Sequence, residues 1–177
     1  MLENEGIMIT IKNIEELKIP ITWTLLYVGL IEKYLTTNDV IDYATCLVEQ
    51  GIENEDLYEL IGAYPEDKEY IFSLLRRLGK NENDKRDIEK LLFLIHVNNV
   101  FGPKQEDYIE GLIEIIDINS MLDDFIDHPF VVPGRNNNVN AKEYFTLDNY
   151  TKIYLKGKMW LEKQILRLGE TTNGNSN

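Results

Sequence analysis

The chain has 177 residues, enough for one domain that buries about 70% of its unfolded surface without disulfide or metal staples. Its 18 basic and 31 acidic residues leave a net charge of −13, a field that repels nucleic-acid phosphates and anionic lipid, so no nucleic acid and no membrane is expected as a partner. Cys46 stands alone and can form no internal bridge, which fits a reducing compartment and a cytoplasmic location.

The opening MLENEGIMITIKN has neither a basic n-region nor a sustained apolar stretch, so no secretory signal is expected. Residues 7–11, IMITI, read as a short strand or an extended entry segment without an evident pairing partner. Pro20 fits a first helical turn and predicts a helix to about Tyr34, apolar nearly all round through Trp23, Leu25, Leu26, Val28, Leu30 and Ile31 and therefore central to the core. That apolar run, 19–31, is shorter than the roughly 20 residues a membrane span needs. Thr36 or Thr37 caps a second helix with Val40, Ile41, Ala44, Leu47 and Val48 on one face and Gly51 as its stop. Cys46 lies beside that arc with no basic neighbour, and reads as a packing residue.

Asn54 opens a short third helix to about Ala63, and Pro65 a fourth that has acids first and arginines last, complementing the helix dipole. The polar loop 80–85 leads into a fifth helix, whose segment 91–97, LLFLIHV, is apolar on every side and should be buried, with His96 a core residue. Gly102 and Pro103 end it. A sixth helix, Lys104 to Ile118, places Tyr108, Ile109, Leu112, Ile115 and Ile116 on a core face and Glu106, Asp107, Glu110, Glu114 and Asp117 on an acidic one. The Pro-Gly and Asn run of 131–140 is a loop. Thr146 caps the last helix, which carries Lys152, Lys156, Lys163 and Arg167 opposite Tyr150, Ile153, Tyr154, Trp160, Leu161 and Ile165, and ends before Gly169. The architecture expected is all-α: a single domain over 1–169 of about seven helices, open to a solenoid-like arrangement of helical pairs, with at most one short N-terminal strand and a disordered tail over 170–177.

Chemistry concentrates in one place. Asp123, Asp124, Asp127 and His128 make a DDxxDH cluster with the spacing by which two carboxylates on one helix face hold a hard cation. An enzyme of that kind needs a second acidic motif and basic residues for a phosphate, yet residues 104–134 contain one lysine, Lys104, and no arginine. His96, His128 and Cys46 are too few for an ordinary zinc site, and no nucleophile elbow or phosphate loop occurs. The cluster therefore reads mainly as a solvated helix end, with a small metal-dependent hydrolase as the alternative; no cofactor is expected, and a non-enzyme is favoured.

Charge placement points to a surface instead. Residues 39–69 hold ten acids and one base, and residues 106–127 hold eight acids and no base. Several of the ten tyrosines lie near those acids, among them Tyr43, Tyr58, Tyr64, Tyr70 and Tyr108, although most should pack at the core or its edge. Acids steer association while tyrosines give contact area at little entropy cost. Candidate contact residues are Asp39, Asp42, Glu49, Glu55, Asp56 and Glu59, or Glu110, Glu114 and Asp117 with Asp123 and Asp124.

The run 18–44 resembles the N-terminal signature of a bacterial domain-of-unknown-function family of small acidic helical proteins. Pro20, Thr22 and Trp23 match an element that begins one helix, and Asn38, Asp39, Val40, Ile41 and Ala44 match one that begins the next. The resemblance implies a helical fold and carries over no catalytic residue. By analogy of size, charge and lack of motifs, the chain is also similar to immunity partners of bacterial contact-dependent toxins. The expected function is thus a cytoplasmic protein-binding domain that covers a basic partner, a toxin or nuclease surface, with acidic helix faces; a helical scaffold forming a homodimer through its last helix is a further alternative.

Overall fold

A computed structural model describes residues 9–79, 85–102, 104–122, 125, 127–134, 137 and 139–171. Among them there are nine helices and no strand, so the fold is all-α. They are α1 (Ile11–Glu16), α2 (Trp23–Ile31), α3 (Thr37–Glu49), α4 (Glu55–Ile61), α5 (Lys68–Leu78), α6 (Lys85–Val100), α7 (Tyr108–Met121), α8 (Ala141–Tyr144) and α9 (Leu147–Thr171). No helix among the described residues is long and apolar enough to cross a membrane. Residues 7 and 8 of the suspected strand and residues 172–177 of the suspected tail lie outside the described residues. The chain groups into two compact units, one from Met1–His96 with Leu166–Asn177, the other from Val97–Ile165.

In the first unit the caps set the helix boundaries. The Thr10 hydroxyl accepts from the Asn13 backbone N–H, and the Asn13 side chain accepts in return from the Thr10 N–H, so Thr10 is extended as an entry segment would be and α1 begins at Ile11, the last residue of the suspected strand. Thr22 accepts from the Leu25 N–H and starts α2 at Trp23, three residues after Pro20. Pro20 therefore precedes the helix instead of occupying its first turn. Thr36, not Thr37, caps α3 through a reciprocal pair with Asp39.

The stops of α1, α2 and α3 share one geometry. After α3, Gly51 takes φ +87°, and the N–H groups of Gly51 and Ile52 donate to Val48 and Leu47. After α1 and α2 the same left-handed position is filled by Lys18 (φ 56°) and Lys33 (φ 61°). Ile31 at the end of α2 is exposed, so this helix is buried on most sides, not all. Helix α3 packs on α4, α4 on α5, and α5 on α2. Leu91, Leu92, Leu94 and Ile95 of α6 are fully buried as expected, with His96 half-buried and its ring tilted against Tyr34. Gly169 lies within α9 and not beyond it, since the helix continues to Thr171; a Cβ added at Gly169 would meet Ile19 Cγ1 at 3.5 Å.

In the second unit α7 turns a different face inward from the one expected. Gly111, Leu112, Ile115, Ile118 and Asn119 are buried, whereas Ile109 and Ile113 are exposed. The rotation follows from Gly111, whose lack of a side chain lets the Tyr150 ring of α9 sit directly on the α7 backbone; a Cβ there would stand 2.5 Å from Tyr150 Cε2. The Tyr150 hydroxyl accepts from the Gln105 N–H at 2.8 Å, and Tyr154 donates to the Gly102 carbonyl at 2.9 Å. Phe101 and Phe130 meet edge to face above Gly157, and the buried Asn119 amide donates to the Phe130 carbonyl at 2.8 Å. The oxygen side of Thr146 caps α9 by accepting from the Asn149 N–H.

Candidate functional site

The surface with most binding character lies on α4 and α5. Asn54 accepts from the Asp56 N–H at 2.8 Å and starts α4, placing Glu55 and Asp56 in its first turn. Leu57 and Leu60 then face inward, which puts Tyr58 outward. The turn between the helices presents Tyr64, and Asp67 caps α5, so the helix begins at Lys68 and not at Pro65. Ile71, Leu74 and Leu75 bury the inner face of α5 and leave Tyr70 outside. Tyr58, Tyr64 and Tyr70 are 52%, 78% and 39% exposed, which corrects the expectation that such tyrosines belong to the core. Period decides it: each falls between the apolar positions that its helix or turn buries.

These tyrosines stand among acids that have two different jobs. Arg77 bonds Glu59 and pairs with Asp56 at 3.0 Å, while the Tyr70 hydroxyl donates to Glu59 at 3.0 Å. The Arg77 guanidinium, followed by the Tyr70 hydroxyl, holds the Glu59 carboxyl below the usual carboxylate range; the same bond raises the Tyr70 phenol. Asp56 and Glu59 thus brace α4 against α5, and Asp39 is occupied with the Thr36 cap. Asp42, Glu49, Glu55, Glu66, Asp67 and Glu69 are exposed and present charge outward.

A groove of about 330 Å³ separates α1 from α3, with Lys12 and Glu15 on one wall and Asp39, Asp42, Tyr43 and Cys46 on the other. Cys46 is exposed there, contrary to the packing role expected, because it sits on the α3 face opposite the buried Val40 and Ala44 side.

The other sequence candidates fall in the second unit. Glu110 and Asp117 are exposed on α7, and Glu114 is half-buried and accepts from the Gln105 amide. Asp123 and Asp124 lie outside the described residues. Asp127 is exposed, while His128 is half-buried with its ring tilted against Phe130 and edge-on to Trp160. Among the described residues no group of three His, Cys, Asp or Glu side chains is placed to hold a metal ion.

The model of a family described as an uncharacterized protein conserved in bacteria (DUF2247) matches residues 11–165. The chain belongs to that family. The match runs from the first residue of α1 into α9, so the resemblance read from residues 18–44 extends over both units. The α4–α5 surface, the α1–α3 groove and the α7 stripe are all within the span that this DUF2247 chain shares with its family. No curated protein and no solved structure matches the chain.

Proposed function

We propose that this DUF2247 protein is a protein-binding module that uses the α4–α5 surface to cover a basic partner, in the manner of an immunity-type inhibitor of a toxin or nuclease domain. The observation that carries the reading is the exposure of Tyr58, Tyr64 and Tyr70 within a stretch, 53–70, of seven acids and one lysine. Exposed tyrosines are poor for solubility and good for contact: each offers a rigid amphipathic ring at the cost of ordering only two torsions. The Asp56–Arg77–Glu59–Tyr70 network supports the same reading, since it fixes Tyr70 before any partner arrives and reduces what binding must order. The exposed carboxylates around the rings complement a surface built to hold phosphate, and steer it toward the tyrosines.

The test is affinity capture from the host bacterium, purification of what is captured, and calorimetric titration with wild type, Y58A/Y64A and E55K/E69K proteins. A basic partner should bind at least about tenfold more weakly to the tyrosine variant, and its association rate should fall with salt and with charge reversal. A captured partner that is acidic, or whose affinity is the same for all three proteins, would defeat the reading.

A further inference from the structure

In the second unit two outward helix faces are unpartnered and are complements of each other. On α9, Leu155 and Met159 are 56% and 70% exposed, and Lys152, Lys156 and Lys163 flank them. Among the described residues none of these three lysines makes an ion pair, although the chain as a whole is strongly acidic. On α7, Ile109 and Ile113 are 43% and 49% exposed, flanked by Glu110 and Asp117. Each face sets two apolar side chains four residues apart, one helical turn; acids border the α7 pair, while the α9 pair has the three lysines along one side and exposed Asp148 and Glu162 in line with it, leaving that face basic on balance.

One copy cannot join these faces. Gly111 of α7 backs onto Tyr150 of α9, so the two helices meet through their buried sides. Ile113 lies about 160° round α7 from Gly111, and Met159 about 180° round α9 from Tyr150. The exposed faces therefore look away from each other.

We propose that the occupant of the basic α9 face is the acidic α7 face of a second copy, with Leu155 and Met159 against Ile109 and Ile113 and the lysines against Glu110 and Asp117. Because the two surfaces are different and point apart, the contact is head to tail and leaves each copy with one face open; association continues into a ring or chain instead of stopping at a symmetric pair. The residues involved belong to neither α4 nor α5, so assembly and partner binding are tested with different substitutions.

Sedimentation velocity of the full chain over a dilution series tests the proposal. Wild type should grow in average mass with concentration, past the mass of two chains, and the growth should shrink with added salt. K156E/K163E and E110K/D117K should each associate at least about tenfold more weakly, since the altered charges turn from attraction to repulsion. Mixing the two variants should restore assembly, because the reversed α9 of one then meets the reversed α7 of the other; circular dichroism confirms that both remain helical, and M159E provides a reversal-independent disruption. A wild type that stays monomeric throughout, assembly that both charge variants leave unchanged, or variants whose mixture stays apart would each overturn it.

Discussion

Gly157 sits in the interior of α9, where glycine is less favourable than alanine by about 1 kcal/mol, so helix propensity alone predicts that Gly157→Ala stabilises the protein. The packing predicts the opposite. An alanine Cβ would stand 2.5 Å from Phe130 Cε1, 2.7 Å from Phe130 Cζ and 2.9 Å from Phe101 Cε1. Neither ring has room to retreat: Phe101 and Phe130 are both buried, lie edge to face at 5.3 Å, and the Phe130 backbone is held by Asn119. One extra methyl in a packed core costs about 1–3 kcal/mol, and two displaced rings place this site in the upper half of that range. After subtracting the propensity gain, the net loss is about 1–2 kcal/mol, which at about 2–4 °C per kcal/mol lowers the midpoint by about 2–8 °C. Urea unfolding followed by far-ultraviolet circular dichroism measures it. Gly62→Ala is the matched comparison, since a Cβ at the α4 C-cap meets the Tyr58 and Glu59 carbonyls at ordinary distances of 3.5 and 3.7 Å and should be neutral or stabilise by up to about 1 kcal/mol. A G157A protein as stable as wild type, or more so, would show that the two rings do not constrain the helix.

Lys33→Gly should stabilise by about 0.5–1 kcal/mol, because relief of a left-handed lysine exceeds the entropy that glycine adds to the unfolded chain; a less stable variant in urea would refute this. Burial pushes the Tyr144 phenol up to about 12. The unfolded phenol ionises from about pH 10, so ionisation favours unfolding and stability should fall as pH rises from there toward the folded value. Tyr144→Phe should flatten that alkaline limb and, by removing a buried hydroxyl with no hydrogen-bond partner among the described residues, leave stability unchanged or about 1 kcal/mol higher at neutral pH. Glu59 is shifted the other way, so its contribution is complete above the ordinary carboxylate value and is lost as pH falls through its depressed folded value. A carboxyl-detected titration should place Glu59 below the other glutamates in wild type and return it toward them in R77M; an unmoved titration would deny Arg77 its role.

Much of the helical map was legible because caps are local. Thr36, Asn54 and Thr146 each bond a backbone N–H within three residues, and Gly51 stops α3 through its own backbone freedom. The start of α2 was misplaced because Pro20 tolerates a first turn without requiring one, while Thr22 supplies a bond. Lys18 and Lys33 gave no sign of being stops, since a lysine takes a left-handed conformation only when the surrounding chain holds it there. Of the candidate site, the acidity of residues 39–69 was plain, but which acids serve the fold was not. Asp56 and Glu59 are committed to Arg77, eighteen residues beyond Glu59, and that pairing exists only once α4 lies on α5.

Composition, apolar period and capping act over a few residues, and they suffice for the all-α class, the strongly acidic balance and those helix ends that a local cap or glycine stop sets. Tertiary structure decided which face of each amphipathic helix is inside. On α7 the apolar residues Ile109, Leu112, Ile113, Ile115 and Ile118 spread too far round the helix for periodicity to choose among them. The choice fell to Gly111, the one position where the Tyr150 ring can reach the backbone, and it turned Ile109 and Ile113 outward. The same kind of selection on α4 and α5 left Tyr58 and Tyr70 outside, because a helix has a single inner face and Leu57, Leu60, Ile71, Leu74 and Leu75 fill it.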